Sequence, residues 1–135
     1  MRKKSGDFMP KITGVLKVKT GNDQEEINIK GVKKNNLWTL YDDNAVKYRF
    51  ELDNKMLKYD KMSQETLSFL FDVYRDTEAW YEIDSRRIDF TVKTNDIIID
   101  NNDIRVSYQL YQGDILLNRI EFSLQCELMK EEHDG

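Results

Sequence analysis

One histidine, one cysteine and one proline occur in these 135 residues, and each scarcity excludes something. His133 stands in the acidic stretch that ends the chain. A general base has to be held within hydrogen-bond reach of its substrate, which that position does not provide. With no second histidine, Ser-His-Asp and Cys-His mechanisms lack their base. Cys126 has no partner for an internal disulfide, a usage compatible with a reducing compartment. Transition-metal sites draw on clusters of His and Cys, and the chain has none. Pro10, the sole proline, precedes the first strand pattern, where it costs no ladder hydrogen bond. No apolar run approaches the roughly 18 residues of a membrane span, and the first residues lack the apolar core of a secretion signal. The expectation is a cytoplasmic protein with no membrane association.

Positive charge is also in short supply: 21 Lys and Arg against 25 Asp and Glu give a net charge of −4. That balance argues against non-specific nucleic-acid binding, which needs an excess of Lys and Arg facing phosphates. The basic start (Arg2, Lys3, Lys4) and acidic end (Glu131, Glu132, Asp134) read as solvated tails over 1–10 and 129–135. Between them, 11–128 has the length of one domain, with no internal repeat or linker. Fifteen aromatic residues (Trp 2, Tyr 7, Phe 6) supply a core and argue against disorder.

What the chain does have is alternation with a period of two. From Ala45 to Leu52, Val46, Tyr48, Phe50 and Leu52 face one way, and Lys47, Arg49 and Glu51 the other. Only an extended strand sends alternate residues to opposite faces. The same pattern runs through Arg87 to Thr94, Ile104 to Tyr111 and Ile120 to Leu128, where Cys126 falls on the apolar face. Shorter or weaker patterns cover Ile12 to Lys19, Gln24 to Lys30, Leu37 to Tyr41, Lys55 to Tyr59 and Glu78 to Ile83. Ile97 to Ile99 reads as a strand end or part of a bulge. Met62 to Tyr74 fits a strand through Leu67, Phe69, Phe71 and Val73. It also fits a helix through Leu67, Leu70, Phe71 and Tyr74, with Ser63 as N-cap. Its branched and aromatic content favours the strand. A short helical turn over Met129 to Glu132 is weakly signalled.

Turn residues separate these segments: Gly21-Asn22-Asp23, Lys34-Asn35-Asn36, Asp42-Asp43-Asn44, Asp53-Asn54, Asp100-Asn101-Asn102-Asp103 and Gln112-Gly113-Asp114. Such residues tolerate positive φ or bond their own backbone. Connections of two to five residues join antiparallel neighbours, whereas parallel strands need a crossover of a dozen or more. The expected fold is an all-β, antiparallel up-and-down meander of about 8–10 strands. Closing it into a barrel removes the two edges an open meander would leave for aggregation. A Greek-key sandwich is the alternative.

The strands Tyr81-Glu82-Ile83, Ile88-Asp89-Phe90-Thr91-Val92-Lys93-Thr94 and Ile104-Arg105-Val106-Ser107-Tyr108-Gln109-Leu110, followed by Asn118-Arg119-Ile120-Glu121-Phe122, resemble the YwiB-like family. Gly31 with Trp38 and Tyr41 is similar to that family's third-strand region. The resemblance runs from about Lys11 to Glu127. It implies a small calycin-type, lipocalin-like barrel of low-GC Gram-positive bacteria and brings no assigned activity. The chain reads Ile83-Asp84-Ser85-Arg86 where the family has a Thr-Pro-Tyr-Gly-like corner. It also lacks the Gly-x-Trp signature of true lipocalins.

Nothing in the chain assembles a catalytic constellation, so no enzyme and no cofactor are expected. Asp42-Asp43 and Asp100 with Asp103 lack the ligand order of a calcium loop and read as turn formers. The inward aromatic set, Trp38, Tyr48, Phe50, Phe69, Phe71, Tyr81, Phe90, Tyr108 and Phe122, either fills the barrel or lines a site for a small, partly apolar ligand. Tyrosine hydroxyls in that set need partners once buried. The alternative is an exterior contact surface for protein or nucleic acid near Trp80, Arg86 and Arg87.

Overall fold

The computed structural model describes residues 10–129. The chain forms ten strands: β1 (Lys11–Thr20), β2 (Asp23–Lys34), β3 (Leu37–Tyr41), β4 (Lys47–Asp53), β5 (Met56–Met62), β6 (Thr66–Asp72), β7 (Thr77–Ile83), β8 (Arg86–Asp100), β9 (Asp103–Gln112) and β10 (Ile115–Leu128). Each pairs antiparallel with its neighbours in sequence, and β1 pairs antiparallel with β10, so the meander closes into a barrel. The seam runs from Ile12 opposite Leu128 to Thr20 opposite Ile120. Closure leaves each strand between two partners, which rules out the sandwich.

Six of the nine connections are two-residue turns, and in each the first turn residue has positive φ: Gly21, Asn35, Asn54, Asp84, Asn101 and Gly113. Short hairpin turns need that left-handed residue to match the twist of the strands they join, and Gly, Asn and Asp reach it at least cost. Turns after β1, β3, β5, β7 and β9 form the upper rim. Turns after β2, β4, β6 and β8, with the start of β1 and end of β10, form the lower rim.

Met62–Tyr74 is resolved as strand: Met62 ends β5, Ser63–Glu65 turn, and β6 carries Leu67, Phe69 and Phe71 inward. Val73 departs from the alternation. It lies exposed in the β6–β7 connection rather than facing the core. Ala45 likewise leaves its expected strand, adopting φ 64° in the β3–β4 turn. Ile97–Ile99 continues β8 past a bulge between Thr94 and Asp96. Ile88 and Leu128, in phase with the core, are exposed because they stand at strand ends near the rims. Met129 belongs to no helical turn, and the rest of that expected turn, like residues 1–9, lies outside the described residues.

Beyond Ala79, β7 and β6 separate, and β8 meets β6 directly: the Asp72 amide donates to Thr94 Oγ1 at 3.3 Å. Thr77 donates its hydroxyl to the Leu70 carbonyl across the same gap. The buried polar trio Asp72, Thr77 and Thr94 thus closes the wall where the ladder stops.

Gly31 on β2 lies opposite Leu40 on β3. A Cβ there would lie 1.9 Å from the Thr39 carbonyl oxygen and 2.7 Å from Leu40 Cα, both backbone atoms that cannot rotate away. Overpacking of this kind costs about 1–3 kcal/mol. Gly31→Ala is expected to lower the unfolding free energy by that amount, read as a lower urea midpoint with an unchanged slope. A midpoint equal to the parent chain's would mean the two strands are free to part.

Candidate functional site

The inward face of the barrel differs between its two halves. Toward the lower rim Ile12, Trp38, Leu57, Phe71, Ile104 and Leu124 are at most 2% exposed. Toward the upper rim Val18, Ile27, Leu67, Phe90, Leu110 and Ile120 face inward yet are only partly buried. The lower half is the more tightly sealed of the two, although Leu52 and Ile97 there are only partly buried and Leu40 and Tyr48 toward the upper rim are fully so.

A layer of rings divides them. Phe50 stacks on Tyr59 with centroids 4.9 Å apart, and Phe71 meets Tyr108 at 4.8 Å. Tyr59 lies 5.3 Å from Phe122. In a ring of ten strands, β5 and β10 are five places apart in either direction, so this last contact spans the full lumen. Phe69 joins the layer at 5.5 Å from Phe71 and 5.6 Å from Tyr108. These separations lie within the range of aromatic contact, so the rings bar passage at that level. A barrel of eight strands is just filled by ordinary side chains. Ten strands enclose more, and rings take up the difference.

Above this floor stand polar groups. The Tyr48 hydroxyl donates to Asp42 Oδ2 at 2.9 Å, and the amides of Asn44 and Val46 donate to Asp42 Oδ1 at 2.8 and 3.0 Å. Desolvation pushes the Asp42 carboxyl up, but these bonds, with the Lys61 charge, bring it below its ordinary value. Desolvation and the Asp42 carboxylate together raise Tyr48. Lys61 faces inward on β5, two residues above Tyr59, with Nζ 5.8 Å from the Tyr48 ring centre. Glu25 on β2 shares the inward phase of Ile27. At the rim, a hydrogen bond to Glu65 raises the Tyr81 hydroxyl.

Two hydroxyls are different. Tyr108 is 6% exposed, and Tyr59 lies within the ring layer. Burial raises both, with charges at Tyr48, Tyr108 and Glu25 adding to the effect on Tyr59. Neither hydroxyl finds a hydrogen-bond partner among the described residues. A buried polar group without a partner forfeits its water without compensation.

Of the nine aromatics expected inside, Trp38, Phe50 and Phe71 belong to the lower half and its boundary. Tyr48, Phe69, Tyr108 and Phe122 are buried at or above the floor, and Phe90 and Tyr81 line the more open wall and rim. The alternation missed Tyr59, which is central to the ring layer. Its strand reads Met-Leu-Lys-Tyr-Asp-Lys-Met, with charges on both faces, so parity alone did not mark it.

Elsewhere the chemistry is self-contained. Burial pushes the Cys126 thiol up to about 12, with Asp103 adding to the rise and Lys33 opposing it. On the outer wall, Arg87 lies 4.8 Å over the Trp80 ring and 2.9 Å from Asp89. Arg86 stands apart at the tip of the β7–β8 hairpin, opposite Ile83. No group of three or more His, Cys, Asp or Glu among the described residues is placed to hold a metal. No helix of the described residues is long and apolar enough to cross a membrane.

The tyrosines separate by their partners. Tyr48→Phe removes a bond to a carboxylate and is expected to cost about 1.5–3 kcal/mol in urea unfolding. Tyr59→Phe removes a hydroxyl that bonds nothing among the described residues and is expected to be neutral or stabilising. Equal losses would show that Tyr59 has a partner within the fold. For Asp42, a carboxyl depressed by folding contributes stability above its unfolded pKa of about 4 and loses it as pH falls through the folded value. Asp42→Asn should therefore be less stable than the parent at pH 7, and the gap should narrow below pH ~4.

No protein-family model matches the chain, and no curated protein matches it. Among solved structures, the crystal structure of the YwiB protein from Bacillus subtilis is similar, with a TM-score of 0.61 at 16% identity over 90% of this chain and 94% of that one. At that identity the likeness is one of fold: this chain is a small antiparallel β-barrel that resembles YwiB.

Proposed function

We propose that the barrel is a binding protein that holds a small, partly apolar molecule in the upper half of its lumen. The observation that carries this reading is the pair of tyrosines within the aromatic layer, Tyr59 and Tyr108, whose hydroxyls find no hydrogen-bond partner among the described residues. A ligand with a polar atom would satisfy them while its apolar part covers Leu67, Phe90, Leu110 and Ile120. The reading is of binding without catalysis. It places the chain with calycin-type barrels, and one unpaired cysteine suits a cytoplasmic setting. The exterior alternative is less favoured, because Arg87 is already engaged by Trp80 and Asp89.

Native mass spectrometry of the freshly purified chain tests the proposal. A molecule retained at one per chain, and lost in a Leu110→Trp variant whose circular dichroism is unchanged, is the expected result. A bare mass that stays bare after incubation with a small-molecule cell extract would refute it.

A further inference from the structure

We propose that two copies of this chain associate through the upper end of β10, edge to edge about a twofold axis; the proposal is independent of the lumen reading. The seam between β1 and β10 stops short of the top. β1 ends at Thr20 opposite Ile120, whereas β10 begins at Ile115. Ile115, Leu116, Asn118 and Arg119 pair with β9 on one side, with Leu117 as a bulge among them. On the other side 115–119 make no backbone hydrogen bond to the described residues. Every residue from Gln112 to Arg119 is exposed. Ile115, Leu116 and Leu117 are 67%, 37% and 40% exposed, three apolar residues in succession on an unpaired edge.

Unpaired N–H and C=O groups template another strand, and natural sheets guard such edges with charge, proline or a bulge. The barrel has a second open edge that shows the guard. β2 meets β3 only from Lys30 opposite Tyr41, so Asp23–Ile29 lack a ladder partner there, and Asp23, Glu25 and Glu26 set charges along them. Ile115–Asn118 carry no charge and no proline, only the Leu117 bulge. An apolar edge left this open marks an interaction surface.

Length and charge select the partner. Beyond Arg119 the line of the edge is taken by Thr20 and the Gly21–Asn22 turn, so a strand laid along it must end there. The β9–β10 hairpin of a second copy does end, at Gly113–Asp114, directly before its own Ile115. The apolar stretch is flanked by opposite charges, Asp114 before it and Arg119 after it. Neither belongs to an ion pair among the described residues. Antiparallel pairing of the stretch with its copy brings Asp114 of each chain to Arg119 of the other and the leucines against one another, whereas parallel pairing would set like charges together. A twofold contact is self-complementary and closed, so it gives a dimer and not a fibre. The patch is short, which places the dimer in the weak class that buries less than about 1,200 Å².

Sedimentation equilibrium of the full chain from about 10 μM to about 1 mM tests the proposal. A reversible monomer–dimer equilibrium is expected. Asp114→Arg and Arg119→Asp, each made alone, should weaken it about tenfold, because each sets two like-charged pairs across the axis. An equimolar mixture of the two variants should recover the parent's association, since every charged contact across the axis is then between opposite signs. Leu116→Lys should remain monomeric with an unchanged circular dichroism spectrum. A parent chain that stays monomeric over the whole range would overturn the proposal. Variants that dimerise as the parent does would place the contact on another face and overturn it too. A mixture no tighter than either charge variant alone would overturn the antiparallel pairing, because the two charges would then not meet.

Discussion

The width of a ten-stranded lumen is the constraint on which the rest of this structure depends. Closing the sheet between β1 and β10 gives every strand two neighbours but encloses a space that aliphatic side chains reaching in from opposite walls do not span. Rings span it. Tyr59 and Phe122 meet from strands on opposite sides, and Phe50, Phe69, Phe71 and Tyr108 fill the layer around them. The interior of a protein is packed to the density of an organic crystal, so a gap at this level would forfeit dispersion contacts along its whole lining.

The layer also creates the asymmetry that makes a site. Below it most of the inward residues are sealed. Above it the same inward phase carries Leu67, Phe90, Leu110 and Ile120 in a partly open space edged by Lys61, Glu25 and the Asp42–Tyr48 pair. Polar groups at this rim follow two rules. Those that brace the fold are satisfied within it, as Asp42 is by two amides and a hydroxyl. Those deeper in, Tyr59 and Tyr108, find no partner among the described residues, a cost that phenylalanine at either position would spare the fold.

Much of the architecture was legible from residue order. The alternation in β4, β8, β9 and β10 gave the inward face, and Asn35, Asn54, Asn101, Gly21 and Gly113 marked five of the six tight turns. Misreadings fell where local pattern and tertiary position part company. Val73 and Ala45 were in phase with a strand but sit in connections. Tyr59 was overlooked because Lys58, Asp60 and Lys61 obscure its parity, although Lys61 and Tyr59 share the inward face at different heights.

The sequence by itself determined the strands, the turns, the antiparallel order and the supply of inward aromatics. Each of these depends on a residue and its near neighbours, through side-chain parity and left-handed φ. Only the tertiary structure decided that the meander closes, that Tyr59 meets Phe122 across the lumen, and that one half is more tightly sealed than the other. Those facts depend on residues more than sixty positions apart being brought to the same height by register and strand tilt, which no local pattern encodes.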